Sequence, residues 1–348
     1  MKVLIVKTSA LGDILHALPV LDYLHRVSPG IKIDWVVEEC NRELLDGNPL
    51  LNKILLFRSR IWRNKLYLPD TWKEIIYFYR QLHEEAYDYV FDIQGNLKSG
   101  MISSKTKCNE IFGFTREELQ ESVNLLFTKY HISMHPDDHH ITDKILKIVK
   151  APFGGNFDGI SLKSSIATSH DDNKNAEVLL STLRKGPIVL FHCGTTWQTK
   201  LWTNTNWIEL GRRILSRYAD ANILYSWGDR IELNTVTTIA RATGPGTRIL
   251  EGYSLKGLCA LLKKIDLVVG GDTGPVHLAA SVGTPTVSLY RSSDGMRSGP
   301  RGNRHVIIQT PLDCACCYKT SCARDEECRN SITPEMLLKG CVYLLERY

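Results

Sequence analysis

The chain of 348 residues has no run of about 20 consecutive apolar residues, the length a helix needs to cross a bilayer. A protein without membrane-spanning helices is expected. The apolar start, MKVLIVKTSALGDILHALPV, looks at first like an export leader. Asp13 and His16 interrupt it, Gly12 lies inside it, and no small-residue cleavage site follows, so no leader is expected. The first turn lacks the G-x-G-x-x-G of a dinucleotide site and the G-K-[ST] of a P-loop. No D-x-D pair is placed to chelate a diphosphate-bound cation, and there is no low-complexity tract or short repeat.

What is present has the balance of a soluble globular protein, with 43% hydrophobic and 23% charged residues. The net charge of +5 fits an anionic substrate or a membrane-surface partner, although many cytosolic enzymes share it. Five of the ten cysteines fall between Cys314 and Cys328. The scattered five suit the reduced core of a cytosolic protein.

Apolar strand-like runs alternate with amphipathic helices. Lys2–Lys7, Lys32–Val37, Lys53–Phe57 and Tyr87–Ile93 read as strands. One helix carries Ile14, Leu15, Leu18, Leu21 and Leu24 on a single face, and another runs from Thr71 to Ala86. Between Ala151 and Asn175 the pattern dissolves into Gly, Ser, Asp and Asn, which predicts a linker. The alternation then resumes. Strands are predicted at Pro187–His192, Asn222–Trp227, Ile265–Gly270 and Thr284–Tyr290, and helices at Asn206–Tyr218, Ile231–Arg241 and Leu255–Lys264. This order predicts an α/β protein with parallel sheets in two Rossmann-like domains, residues 1–165 and 175–332, with a ligand cleft between them. A final helix within 333–348 is expected to pack back on the first domain.

Five places carry candidate chemistry. Asp13 and His16 open the helix after the first strand, where a carboxylate suits the helix dipole and can equally act as a base toward an acceptor hydroxyl. Thr195 and Thr196 follow the strand at Pro187–His192, and Lys200 beyond them can sit on a diphosphate, though Thr-rich loops and solvated lysines are common. Glu232 lies in the first turn after a strand, where an acid takes ribose hydroxyls or merely faces the helix dipole. In G-G-D-T-G-P-V-H the glycines free the backbone and the helix start offers N–H groups to an anion. Asp272 or Thr273 is equally a plain N-cap there. Finally, Cys314, Cys317, Cys322 and Cys328 have a C-x2-C-x4-C-x5-C spacing that suggests a metal site or disulfides but matches no standard zinc finger.

In order and spacing these pieces resemble the bacterial heptosyltransferases of glycosyltransferase family nine. The resemblance runs through K-T-S-A-L-G-D-I-L-H-A-L-P, D-I-Q-G-N-L-K-S (Asp92–Ser99), T-T-W-Q-T-K-L-W (Thr195–Trp202), W-G-D-R-I-E (Trp227–Glu232) and G-G-D-T-G-P-V-H-L-A-A (Gly270–Ala280). The Q-G-N-L-K-S and F-T-R-E stretches place it nearer heptosyltransferase I than II. The resemblance implies the GT-B fold and inverting transfer of heptose from ADP-heptose to a Kdo-lipid A acceptor. It makes Asp13 the general base. It puts Lys200, Thr195 and Thr196 on the diphosphate, Glu232 on the ribose, and Asp272, Thr273, Gly274 and His277 on the donor sugar and phosphates. No cofactor and no metal are expected, because a lysine and helix N–H groups can hold the diphosphate. The cysteine cluster is expected to shape a loop.

The acceptor side is expected to involve Gly12, His16, Arg60, Arg63, Lys98 and Arg116. Arg58, Arg60, Arg63 and Lys65 crowd the loop after the third strand, interleaved with Trp62, Leu66, Tyr67 and Leu68. That mix suits peripheral contact with the anionic cytoplasmic face of the inner membrane, although any one of these charges is also an ordinary solvated one. No nucleic acid is expected as partner. Rival readings are a family-nine transferase with another sugar or acceptor, a sugar-nucleotide epimerase on the same scaffold, and a non-catalytic nucleotide-sugar binder.

Overall fold

A computed structural model of the chain describes residues 1–119, 121–154 and 162–348. These form two compact units, Met1–Ala167 and Thr168–Tyr348. In the first unit, strands β1 (Lys2–Val6), β2 (Lys32–Glu38), β3 (Lys53–Phe57), β4 (Tyr89–Asp92), β5 (Ile111–Phe114) and β6 (Tyr130–Ile132) make one sheet in the order β3-β2-β1-β4-β5-β6. Every pairing is parallel. Its helices are α1 (Leu11–Ala17), α2 (Pro19–Val27), α3 (Ser59–Asn64), α4 (Pro69–Glu84), α5 (Leu97–Ser103) and α6 (Ile141–Lys150).

The second unit repeats the plan. Strands β7 (Ile188–His192), β8 (Asn222–Ser226), β9 (Thr247–Ile249), β10 (Leu267–Gly271), β11 (Thr286–Tyr290) and β12 (His305–Gln309) pair in parallel in the order β12-β11-β10-β7-β8-β9. Its helices are α7 (His170–Ser181), α8 (Asn204–Arg217), α9 (Arg230–Thr243), α10 (Leu255–Leu262), α11 (Gly274–Ser281), α12 (Gly295–Ser298), α13 (Asp325–Ser331) and α14 (Pro334–Leu345). Both sheets have the doubly wound Rossmann strand order. In each, the order reverses beside the first strand, between β1 and β4 and between β7 and β10. A ligand crevice opens at the carboxyl ends of such strand pairs. The central strands are buried along their length, as a sheet covered on both faces requires.

The structure departs from expectation in four places. The predicted first helix is broken in two, because Pro19 supplies no N–H and starts α2 at its first turn. The linker is shorter than Ala151–Asn175. Ser169 accepts a hydrogen bond from the Asp172 backbone N–H and so caps α7, which begins at His170. Residues 155–161 of that linker lie outside the described residues. The short strands β5, β6, β9 and β12 were not foreseen, nor were α5, α6 and α7. The last helix, α14, is built into the core of the second unit. Leu337, Cys341 and Leu344 join the core formed by β7, β8, β10 and helices α8 and α9.

Candidate active site

In the second unit, β7 and β10 end side by side, and the turns after them carry most of the expected donor residues. Past β7, Cys193–Thr196 and the start of α8 line a cavity of about 540 Å³ with Glu232 and Thr235 of α9. That size suits a small organic ligand. Asp229 caps α9 by accepting hydrogen bonds from the Ile231 and Glu232 N–H groups, which aims Glu232 back across the strand ends. The Glu232 carboxylate accepts the Gly228 N–H at 2.6 Å. It lies so close to Gly194 that a Cβ there would stand 2.1 Å from it, so any side chain at residue 194 would have to displace the carboxylate. Burial pushes the Glu232 carboxyl above its ordinary value, the Gly228 N–H opposes this, and the nearby Asp229 charge adds to it.

Past β10, Asp272 is paired on both sides. Its Oδ2 lies 2.6 Å from Lys200 Nζ and its Oδ1 lies 2.9 Å from His277 Nε2. The Lys200 ammonium also sits over the Trp197 ring at 4.8 Å. Burial alone would raise the Asp272 carboxyl. The His277 hydrogen bond and the Lys200 charge outweigh it and hold the group well below the usual carboxylate range. Thr273 is the N-cap of α11, yet its side chain does not cap the helix; its hydroxyl donates to the Gly271 carbonyl instead. The plain N-cap reading of this turn therefore gives way. No side chain caps the start of α11, and an uncapped helix start can receive an anion.

In the first unit the equivalent crevice lies past β1 and β4. Asp13 is the third residue of α1, its side chain 46% exposed. Its carboxylate accepts the Ala10 N–H at 3.1 Å and lies 3.7 Å from the buried ammonium of Lys7. The turn between β1 and α1 is clamped from the neighbouring strand. Gln94 Oε1 accepts the Thr8 and Ser9 N–H groups, each at 3.1 Å. The Gln94 and Gly95 N–H groups in turn donate to Asp92, whose other oxygen takes Asn124 at 2.7 Å. Beside this turn, Arg60, Arg63 and Lys98 line a cavity of about 320 Å³ with Ser9, Glu38 and Ser59.

Residues 75–327 match the family described as glycosyltransferase family 9 (heptosyltransferase). The chain belongs to glycosyltransferase family 9. It is 31% identical to lipopolysaccharide heptosyltransferase 1 of Pseudomonas aeruginosa over 324 residues, 92% of this chain and 87% of that protein. Identity to lipopolysaccharide heptosyltransferase 1 of Escherichia coli K12 is 28%, over 90% of this chain and 95% of that one. The structure of the Escherichia coli heptosyltransferase WaaC with ADP-2-deoxy-2-fluoro heptose is similar with a TM-score of 0.76 at 25% identity, covering 98% of this chain and 99% of that one. The protein is thus a glycosyltransferase of the GT-B type.

Several expected residues of this family-9 enzyme are brought together, and others are not. Thr195, Thr196 and Glu232 share one cavity, and Lys200, Asp272 and His277 form one hydrogen-bonded group beside it. Arg60, Arg63 and Lys98 converge, whereas Arg116 is exposed elsewhere and does not line their cavity. Gly12 is the second residue of α1. The His16 ring packs edge-on against His140 at 5.4 Å, and its Nδ1 lies 3.3 Å from the Thr142 hydroxyl. Two members of the basic loop read differently in three dimensions. Trp62 is buried against Phe57 and Phe78 and donates to Glu74 at 3.0 Å, so it is core rather than surface. Arg58 is held by Glu39 at 2.7 Å.

Three residues of the site escaped the sequence reading. Gln94 lies inside a recognised motif, but its role depends on a strand neighbour. Lys7 looked like the polar end of a strand. Arg329 of α13 lines the 540 Å³ cavity from a segment remote in sequence. The cysteines next to it are free thiols, and Cys314, Cys317, Cys322 and Cys328 gather around one small cavity with Thr199, Arg291 and Asp325. Among the described residues, no three His, Cys, Asp or Glu side chains are grouped so as to hold a metal ion.

Proposed function

We propose that the protein transfers heptose from ADP-heptose, with inversion, to a Kdo-bearing lipid A acceptor of the lipopolysaccharide inner core. The observation that carries this reading is the pair of crevices at equivalent Rossmann switch points. One presents Asp13 beside a cationic cavity, and the other presents Glu232, Lys200 and an uncapped helix start. In the reaction, Asp13 takes the proton of the acceptor hydroxyl as its oxygen bonds to the anomeric carbon. The carbon–oxygen bond to the diphosphate breaks, and ADP departs with the electron pair. Lys200 and the α11 N–H groups stabilise the charge that grows on it. Glu232 takes the ribose hydroxyls. Thr195 and Thr196 contact the diphosphate, and Asp272, Thr273, Gly274 and His277 the donor sugar and phosphates. Arg60, Arg63 and Lys98 suit the carboxylates and phosphates of the acceptor.

Before donor binds, the Lys200 ammonium serves Asp272. A diphosphate arriving at Lys200 would compete for that cation and free Asp272 to accept sugar hydroxyls. This account needs no metal, so turnover is expected to persist in EDTA; loss in EDTA with rescue by Mg²⁺ would overturn it. The assay that tests the function itself pairs ADP-heptose with Kdo-lipid A and, separately, with an already heptosylated acceptor. Turnover on the first alone is expected.

The same reading places the enzyme at the cytoplasmic face of the inner membrane. Its ten cysteines are all free thiols, as a reducing compartment allows. No helix among the described residues is long and apolar enough to cross a membrane. Contact is instead proposed through the segment from α3 to α4, where Leu66, Tyr67, Trp72, Ile76 and Tyr77 are exposed next to the exposed cations Arg60, Arg63 and Lys65. Each basic residue near an anionic bilayer contributes about 1 kcal/mol.

A further inference from the structure

α13 joins two features that the reaction leaves unexplained. Cys328, in the middle of the helix, lines the small cysteine-walled cavity, and Arg329 next to it lines the large cavity shared with Thr196 and Glu232. The helix is anchored at its first residue. Asp325 Oδ1 accepts from Arg291 Nη2 at 2.6 Å, and Arg291 is 1% exposed. The same guanidinium donates to the Leu201 carbonyl, which ties α13 to the loop carrying Lys200. Asp325 Oδ2 lies 2.6 Å from Arg329 Nη2. One carboxylate therefore faces two guanidiniums, and the group keeps an excess positive charge. The member that reaches the large cavity is Arg329.

Arg329 also has unused hydrogen-bonding capacity. Its Nη2 is engaged with Asp325 and the Gln198 carbonyl, but its Nε is buried without a hydrogen-bond partner. A buried donor left unpaired is unfavourable, so a shift of the side chain that brings it to an acceptor on a bound ligand is favoured. Among the described residues lining that cavity, Arg329 is the one lysine or arginine, against the acids Asp229 and Glu232. Lys200, the other cation nearby, is engaged by Asp272.

We propose that Arg329 is a donor-binding residue whose guanidinium takes an oxygen of the nucleotide diphosphate. The proposal rests on reading the cavity as the donor site. A guanidinium suits this task because its planar fork can meet two phosphate oxygens, while its remaining edge stays on Asp325. The cysteine-walled segment then has a role in binding: it is the scaffold that delivers α13, and with it Arg329, to the cavity wall.

The test is calorimetric titration of the full-length protein with ADP and, separately, with adenosine. Arg329→Gln is expected to weaken ADP about tenfold or more and to leave adenosine unchanged. Arg329→Lys, which keeps the charge and can keep the Asp325 pair, is expected to fall between the two, and it carries the test if the glutamine variant does not fold. An ADP affinity unchanged in both variants would overturn the proposal. So would an equal loss for ADP and adenosine, which is what a merely structural role produces. If the wild type binds neither ligand, the donor-site reading fails and takes this proposal with it. If the wild type binds ADP normally but the ratio of ADP to adenosine affinity does not move, only the role of Arg329 fails.

Discussion

Glu232 and Asp272 are carboxylates at strand ends of one sheet, and their surroundings drive them in opposite directions. Glu232 is half-buried with one N–H partner, so its neutral form is favoured and its pKa is raised. Ribose hydroxyls donate to the ionised form. ADP affinity should therefore fall as pH is lowered from neutrality, and at a higher pH than for an exposed glutamate. In Glu232→Gln the affinity should be weaker and this component of its pH dependence absent. Titration calorimetry as pH is lowered checks it. Asp272 is depressed by His277 and Lys200, so its contribution to stability is present above the ordinary carboxylate pKa and is lost only as pH falls below it. Asp272→Asn should lower stability by about 3 kcal/mol, the range for breaking a buried pair. In urea unfolding the deficit should shrink as pH falls below about 4, the ordinary aspartate range.

At the scale of elements, what matters is how closely the turns approach one another. The turn after β7 lets Glu232 of α9 lie across it because residue 194 has no side chain. Gly194→Ala would place a Cβ 2.1 Å from that carboxyl group. The variant should fold, displace Glu232 and lose at least tenfold in ADP affinity, with circular dichroism confirming the fold. The turn after β1 is likewise shaped by its neighbour β4, through Gln94. The segment from α3 to α4 shows the converse: Trp62, Phe57 and Phe78 pin its inner face, which leaves Tyr67, Trp72 and Ile76 facing outward. Replacing Trp72 and Ile76 with serine should reduce co-sedimentation with anionic vesicles while leaving turnover on a soluble acceptor intact. Equal sedimentation of variant and wild type would remove this face from membrane contact.

At the scale of the molecule, the two tasks proposed for the enzyme fall in separate units. Asp13 belongs to Met1–Ala167, and the cavity proposed for the donor lies wholly in Thr168–Tyr348. Asp13→Asn should then lower turnover by about 10²–10⁴, the usual weight of a general base, with ADP affinity unchanged. A parallel loss of ADP affinity would mean that Asp13 acts by holding structure rather than by moving a proton. Each unit repeats the same strand order, so each offers one crevice at the carboxyl edge of its sheet.

The strand–helix alternation was legible in the sequence because it rests on local periodicity, and Thr195, Glu232 and Asp272 could be singled out because each lies in the turn or first helical turn after a strand. β5, β6 and β9, three or four residues long, carried too little periodicity to register. Family motifs added the expected roles. What only the tertiary structure decided were the pairings across strand ends. Lys200 meets Asp272 across 72 residues, and Gln94 meets Thr8 across 86. Trp62 turned inward although Arg60 and Arg63 lie close to it in sequence. Arg329 lines the cavity proposed for the donor while paired with Asp325, itself held by Arg291. Such contacts depend on which strands lie side by side, and strand order is a property of the whole sheet that no local stretch of sequence encodes.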